Sequence, residues 1–403
     1  MKPIFNVQEI VNAGSDPTLV WEAIVSTAVK ANVSDIHVLS QKKGCALVYR
    51  LDGDMRPQGV FENEFARRMI NHVKSLSEID LGENRRPVEG RMLMDFDSKS
   101  VDLRVSVIPS IHGQDMVVRM FDRTISLMDL NDLGMLSEQL NFVSDMISRP
   151  HGLILVCGPT GSGKTTTLYA MLRKLAGKDR KIMTIENPAE YDLEGVNQTQ
   201  VNPRIGVTFA TLLAAILRQD PDVIMVGEIR DEETAITAVR AANTGNLVLA
   251  TTHATRASRA IETMLGLNVH PYFLAAALRG VMAQVLVKRV CPHCREALPD
   301  TADIIVDADL VGRLRHEDVK PQLYHGRGCE VCYGSGYHGR VGLFELFMPD
   351  DNIKQLILDR RPALEIEAAA CKARMLTLEQ SGKLAALKGQ TTMEEIVDSL
   401  PSV

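Results

Sequence analysis

Gly158-Pro159-Thr160-Gly161-Ser162-Gly163-Lys164-Thr165, followed by Thr166-Thr167-Leu168-Tyr169-Ala170-Met171-Leu172, decides the fold of this chain. The first eight residues read G-x-x-x-x-G-K-[ST], a phosphate-binding loop. Before them runs Gly152-Leu153-Ile154-Leu155-Val156-Cys157, a short apolar stretch of strand character, and after them comes a helical pattern. Strand, glycine loop and helix form the context the motif needs. Glycines let successive backbone N–H groups turn inward around a polyphosphate, and the helix N-terminus adds partial positive charge. Lys164 can reach the β- and γ-phosphates, and the Thr165 hydroxyl can ligate magnesium. The competing reading is a glycine-rich turn with no ligand, which the full octet in this context disfavours.

Outward from the loop, the chain keeps the same rhythm. From residue 136 onward helical patterns alternate with β-rich runs at 152–157, 182–186, 223–226 and 247–251. That alternation predicts an α/β domain with a parallel sheet and helices on its faces. Upstream, residues 17–32 show helical periodicity, while Asp35-Ile36-His37-Val38 and residues 45–51 alternate like strands. Asp52-Gly53 signals a hairpin turn. A helix at 65–76 and strands at 90–96, 101–109 and 116–121 complete a small α+β domain over residues 1–121. Residues 122–135, with Asp129, Asn131, Asp132 and Gly134, read as a linker. Residues 136–403 make the second domain, with a cysteine-, glycine- and histidine-rich module at 290–345 and a mostly helical region at 346–403.

A length of 403 residues exceeds one ordinary domain. Hydrophobic content of 45% and charged content of 24% are ordinary for a globular protein. The net charge of −6 gives no whole-chain case for nucleic-acid binding. No apolar run approaches about 18 residues, so no membrane span is expected. The N-terminal residues, Met1-Lys2-Pro3-Ile4-Phe5-Asn6-Val7-Gln8-Glu9, lack an apolar h-region and do not read as a signal peptide. With a nucleotide site, this points to the cytoplasm.

The run Asp220-Pro221-Asp222-Val223-Ile224-Met225-Val226-Gly227-Glu228 is a strand ending in a carboxylate. P-loop enzymes place a water-orienting group near such a position. Gly227 stands where a metal-binding aspartate is usual. Glu228 can take a proton from the attacking water or hold a magnesium shell through water; a surface acid at a strand end is the plain alternative.

Seven cysteines, four of them in two CxxC pairs, argue for metal over disulfides. Cys291-Pro292-His293-Cys294 and Cys329-Glu330-Val331-Cys332 have 34 residues between them. Four thiolates suit a closed, structural, tetrahedral zinc; a redox CxxC competes. His293 and His338 read as bystanders, and Cys45, Cys157 and Cys371 as small buried residues.

Taken together, the sequence resembles the type II secretion and type IV pilus assembly ATPases, the GspE/PilB-like secretion motors, across nearly its whole length. Residues 150–169 match that family's run through the phosphate loop. Thr184-Ile185-Glu186-Asn187-Pro188-Ala189-Glu190-Tyr191 falls on its Asp box, continued by Asn197-Gln198 and Gln200-Val201-Asn202. Residues 217–222 with Gly227-Glu228-Ile229-Arg230-Asp231 fall on its Walker B segment, and Thr244-Gly245 with Thr251-Thr252-His253 on its His box. Ser34-Asp35-Ile36-His37, Arg104-Val105-Ser106 and the glycines after the cysteines match too. Two positions depart: Asn187 stands for an aspartate and Asn246 for a frequent histidine, so both roles are limited to hydrogen bonding.

The resemblance implies a RecA-like P-loop ATPase domain preceded by a PAS-like α+β domain. It implies ATP and Mg2+ at residues 158–166, and Zn2+ at Cys291, Cys294, Cys329 and Cys332. Glu228, Glu186, Lys164 and His253 carry hydrolysis in that reading, with Arg91 and Arg104 supplied by the N-terminal domain to the γ-phosphate. A planar guanidinium suits phosphate oxygens; Arg119 is a weaker candidate. The resemblance further implies a hexameric ring, coupling to a polytopic inner-membrane platform protein, peripheral association with that membrane, and no nucleic-acid partner. About 16 residues precede the first expected helix, so the chain reads as a short member without the extra N-terminal docking domain. The tetracysteine module separates assembly-type motors from the retraction type. The alternatives are a retraction motor, a nucleotide-gated non-hydrolysing subunit, with Asn187 and Asn246 as its signs, and a DNA-processing P-loop enzyme. Acidity and the lack of a clustered basic or aromatic strand-binding surface count against the last.

Overall fold

The computed structural model describes residues 3–7, 16–96, 99–122, 128–177, 179–299, 310, 312–314 and 319–400. The chain divides into two compact units. The first comprises Met1–Ile125, Cys291–Arg295 and Gly326–Gly339; the second comprises Ser126–Val290, Glu296–His325 and Arg340–Val403.

In the first unit, six strands form one antiparallel sheet: β1 (Asp35–Gln41), β2 (Gly44–Leu51), β3 (Asp54–Phe61), β4 (Val88–Phe96), β5 (Lys99–Ser110) and β6 (Gly113–Asp122). Their order is β3-β2-β1-β6-β5-β4. Two helices, α1 (Pro17–Lys30) and α2 (Asn63–Leu76), supply apolar side chains to the same core as the sheet. Helix α1 starts at Asp16, whose carboxylate accepts from Thr18 N at 3.0 Å, and Pro17 presets the first turn. It buries Val20, Trp21, Ile24, Val25 and Ala28, one helical stripe. Ile36, Tyr49, Leu103, Val105 and Val118 meet it from the sheet. Alternate strand positions therefore face away from the helices.

The second unit is an α/β sandwich. Its strands are β7 (Gly152–Cys157), β8 (Ile182–Glu186), β9 (Asn197–Gln200), β10 (Val223–Val226), β11 (Leu247–Thr252), β12 (Leu278–Val290) and β15 (Tyr337–Phe347), in the order β15-β12-β7-β11-β10-β8-β9. Every described pairing from β12 to β9 is parallel. A two-stranded ribbon, β13 (Arg295–Ala297) with β14 (Tyr324–Gly326), stands apart. Successive residues of β7 feed opposite cores. Leu153 and Leu155 join α5 (Phe209–Ile216), α6 (Glu232–Asn243), α7 (Ala257–Gly266) and α8 (Pro271–Ala277). Ile154 and Val156 join α3 (Ser137–Ser148) and α4 (Lys164–Leu175). Four helices close the chain: α9 (Asp351–Leu358), α10 (Ala363–Lys372), α11 (Leu378–Leu387) and α12 (Met393–Ser399). No described helix is long and apolar enough to cross a membrane.

The sequence reading and the structure differ in three places. The stretch read as linker is partly core: Leu130, Leu133 and Met135 are buried with α3 and α4, because its polar residues alternate with apolar ones. Residues 123–127 of that linker lie outside the described residues, as do 300–309, 311 and 315–318 of the cysteine-rich module. Both cysteine segments cluster with the first unit, where Tyr333 packs on the sheet's core and Gly339 N donates to Asp52 at 3.0 Å. Cys371, expected buried, is exposed. It follows Ala369 and Ala370, which point inward on α10, and one further step of about 100° turns it outward.

Candidate functional site

The carboxyl ends of β7, β8, β10 and β11 lie along one edge of the parallel sheet, where open α/β folds bind ligands. There β7 passes into the phosphate loop, and Gly163 caps α4 in the left-handed region at φ 86°. At Gly158, φ 146°, a Cβ would come within 2.2 Å of Gln284 O and 2.7 Å of Ser162 Oγ, so only glycine fits. Thr167 Oγ1 donates to Gln284 Oε1 at 2.7 Å and ties α4 to β12. Lys164 Nζ donates back to the carbonyls of Gly158 and Pro159 at 2.8 and 2.9 Å, closing the loop on itself. Burial pulls its ammonium below the ordinary lysine range, while the negative Glu228 pulls the other way. Ser162 Oγ and Thr252 Oγ1 are buried without hydrogen-bond partners. Unmet hydroxyls in and beside a glycine-rich phosphate loop fit a polyphosphate. Thr165, half-buried at the first turn of α4, could hold magnesium.

Two of the three expected polar groups meet next to this loop. Glu228 follows β10 and His253 follows β11, and His253 Nε2 lies 3.3 Å from Glu228 Oε2. Arg230, which sequence reasoning quoted but gave no role, stands 2.7 Å from that same oxygen. Its loop is pinned by Ile229 N to Thr251 O at 2.9 Å and by Asp231, which caps α6 through Thr234 N at 2.8 Å. Gly227 is constrained by packing: a Cβ would sit 2.9 Å from Ile185 O.

Glu186 is held differently. Its carboxylate is buried at the end of β8 and accepts from the Tyr169 phenol, from Thr184 Oγ1 at 2.6 Å and from Gln198 Nε2 at 2.9 Å. Burial, with the negative Glu186 beside it, holds the Tyr169 phenol protonated far above its ordinary range. The network leaves Glu186 as a joint between the phosphate-loop helix and the sheet. Tyr169, Thr184 and Gln198 lie in the segments that carry the resemblance, but no role is legible for them in the sequence.

The two asparagine positions separate. Asn187, exposed, follows Glu186 at the loop-bearing edge. Asn246 precedes β11 and its Nδ2 donates to Pro221 O at 2.5 Å. At about 3.3 Å per residue, the six residues of β11 put it on the order of 20 Å from His253. Its substitution therefore bears on strand ends at the opposite edge of the sheet.

Arg91 and Arg104 belong to the first unit and are register partners on β4 and β5; Arg104 in turn faces Arg119 on β6, and Arg119 faces Asp35 on β1. The row lies on the sheet face away from α1 and α2. Arg91 grips Asp102 in a bidentate pair, Nε to Oδ1 at 2.7 Å and Nη2 to Oδ2 at 2.6 Å. The Arg104 guanidinium lies 4.2 Å from the Phe121 ring centre, and Arg119 Nε donates to Asp35 at 2.9 Å.

Cys291, Cys294, Cys329 and Cys332 gather so that their sulfurs all lie within 4.8 Å of one another. The Sγ separations are 3.9 Å for Cys291–Cys329, 3.8 Å for Cys294–Cys332 and 3.7 Å for Cys329–Cys332. With Zn–S bonds of about 2.3 Å, a regular tetrahedron has edges of about 3.8 Å, so the set fits zinc. Neither His293 nor His338 joins it. Cys332 accepts N–H bonds from Cys329 at 3.1 Å and Gly336 at 3.3 Å. Burial opposes its ionisation, yet these donors outweigh it and bring the thiol down to about 6.

A family model described as "Type II/IV secretion system protein" matches residues 12–398. The chain is 41% identical over 376 residues to type II secretion system protein E of Klebsiella pneumoniae, covering 93% of this chain and 74% of that one. It is 39% identical over 377 residues to the type IV pilus assembly ATPase PilB of Thermus thermophilus, covering 93% and 42%. Among solved structures, the pilus retraction motor PilT with bound ADP superimposes at a TM-score of 0.61 and 26% identity, covering 94% and 96%.

Proposed function

The chain belongs to the type II/IV secretion system protein family, and from that premise we propose that it is the ATP-hydrolysing motor of a pilus-assembly or type II-like secretion machine, working as a hexameric ring. ATPase activity is the family's chemistry. The observation that carries the reading is the meeting of Glu228 and His253, 3.3 Å apart, beside a phosphate loop that retains Lys164 and Thr165. The higher identity to secretion protein E and PilB than to the retraction motor, with the compact tetracysteine cluster, favours assembly or secretion over retraction.

In this reading Lys164 leaves the loop carbonyls to neutralise β/γ-phosphate oxygens. Bound magnesium supplies charge neutralisation at those oxygens and would be held by Thr165. Glu228, oriented by Arg230 and His253, takes the proton of the attacking water. Glu186 keeps α4 fixed to β8. Arg91 and Arg104 add charge at the γ-phosphate when presented to it, which makes hydrolysis conditional on closure. Cysteine-bound zinc is structural. A cytoplasmic ring coupled to an inner-membrane platform protein completes the proposal.

The test is magnesium-dependent phosphate release by the full chain, with native mass measurement of the assembly. Lys164→Ala should fold and lose turnover, because phosphoryl transfer depends on positioning and fixed charge. Release at the parental rate by that variant would sink the reading.

A further inference from the structure

His253 opens the short loop His253–Arg256, which joins the end of β11 to the start of α7. Its side chain is 50% exposed, so packing does not hold the ring. The approach of His253 to Glu228 therefore depends on where the loop backbone is held. The near end is held by the sheet. Thr251 Oγ1 donates to Gly227 O at 2.5 Å, and Thr251 O accepts from Ile229 N at 2.9 Å. These bonds tie β11 to the segment that bears Glu228. The far end is held by the charge of Arg256.

Arg256 is the N-cap residue of α7, and its own side chain does not cap that helix. It reaches into the C-terminal region instead. Nη1 donates to Glu379 Oε2 at 2.8 Å and Nη2 donates to Glu379 Oε1, a bidentate grip from the first turn of α11. Glu345 of β15 is further away, 3.3 Å from Nη1. Its oxygens serve two helix starts: Oε1 accepts from Ala257 N at 2.8 Å and Oε2 from Leu378 N at 3.3 Å. One buried carboxylate thus meets orphan N–H groups of both α7 and α11. The thiol of Cys157, at the end of β7, donates to Arg256 O at 3.4 Å.

We propose that Glu379 is a positioning residue for hydrolysis. It holds Arg256, and through Arg256 the far end of the His253 loop, so that the His253 ring stays against Glu228. This inference rests on the motor reading of the Glu228–His253 pair. It extends that site to α11, which lies 123 residues along the chain from Arg256 to Glu379.

The two carboxylates act differently on Arg256. Glu345 is wholly buried and supplies a counter-charge to a buried guanidinium. Glu379 is half-buried and supplies direction, because a bidentate pair fixes the plane of the guanidinium as well as its distance. The hydrogen bond from Arg256 holds the Glu379 carboxyl below its ordinary range, so the grip is between ions. Loss of Glu379 leaves Arg256 paired with Glu345, and the chain should fold. What goes is the fork that aims the end of the loop. A displacement of about 1 Å at a reacting group can cost on the order of a hundredfold in rate. For a residue that acts through two others, a loss of about tenfold is expected.

The full chain is compared with Glu379→Ala, Glu379→Gln, His253→Asn and the double variant of Glu379→Ala with His253→Asn. Phosphate release gives kcat and the KM for ATP. Hydrogen exchange of the nucleotide-free protein reads two anchored amides at the start of α7: Ala257 N, bonded to Glu345, and Ala260 N, bonded to Arg256 O at 3.2 Å. Glu379→Ala should lower kcat about tenfold and leave KM within about twofold. It should speed exchange of both amides at least threefold, with α4 unchanged. Glu379→Gln keeps an acceptor for the guanidinium and should recover part of kcat; it carries the same readings if the alanine variant unfolds. With His253→Asn already present, Glu379→Ala should cost no further kcat, because both changes act through one ring. A full additive cost in the double variant would show that Glu379 acts other than through His253 and would overturn the proposal. An unchanged kcat, a KM that rises in step with the fall in kcat, or unchanged exchange at Ala257 and Ala260 would overturn it too. A parent chain that releases no phosphate would sink the motor reading and the role in hydrolysis with it, and exchange would then show separately whether Glu379 anchors the loop.

Discussion

Arg230 Nε lies 2.7 Å from Glu228 Oε2, the oxygen that His253 Nε2 also approaches at 3.3 Å. The carboxylate is thus aimed by groups from the ends of two neighbouring strands. Arg230 is 64% exposed, so screening leaves the pair little weight in stability; its effect is on direction.

Glu228→Gln keeps the shape and the hydrogen bonds of that carboxylate but cannot take up a proton. Hydrolysis should fall by about 10²–10⁴-fold, while ATP remains bound. A fluorescent nucleotide measures binding and phosphate release measures turnover. Joint loss of both would make Glu228 a structural residue.

Arg91→Ala and Arg104→Ala should depress turnover strongly with a smaller effect on ATP binding, since a supplied arginine is worth roughly 10³–10⁵ in rate. Mixing Arg104→Ala chains with Lys164→Ala chains tests whether the arginine acts between subunits. Recovery of activity in rings shown to be mixed by native mass measurement is the expected result. Its absence would favour an arginine acting within its own chain.

Metal analysis should find about one zinc per chain. Cys294→Ser should lose most of it and lower the stability of the first unit, because metal binding and local folding are coupled. Full zinc content in that variant would rule out the four-cysteine assignment.

Arg256 sits between two carboxylates of the second unit. Glu345, 0% exposed, lies 3.3 Å from Arg256 Nη1, and Glu379 Oε2 accepts from the same nitrogen at 2.8 Å. Burial pushes the Glu345 carboxyl up, against the N–H of Ala257 and the charge of Arg256. Arg256→Ala should cost about 3–5 kcal/mol by stranding a buried charge. The folded carboxyl then holds a proton more tightly than the unfolded one. The deficit should therefore shrink as the pH falls. Adding Glu345→Gln should recover part of the loss. Urea unfolding followed by circular dichroism reads each variant; an unchanged midpoint would show that the network contributes no stability.

The local sequence by itself determined the phosphate loop, the α/β alternation, the CxxC pairs and the strands of the first unit, because each depends on the spacing of neighbouring residues. Glycine at 158 and 163, lysine at 164 and two-residue alternation are readable without knowing what packs where. Tertiary structure decided the rest, because it depends on residues far apart in the chain. It tied buried Glu186 to Tyr169 and Gln198, and set Arg230 beside Glu228. It sent Asn246 to the far edge of the sheet. It also brought Cys294 within 3.8 Å of Cys332 and grouped both with the first 125 residues. A single linear period cannot encode those meetings, since the backbone that brings them together is organised by hydrophobic cores built from residues far apart in the chain.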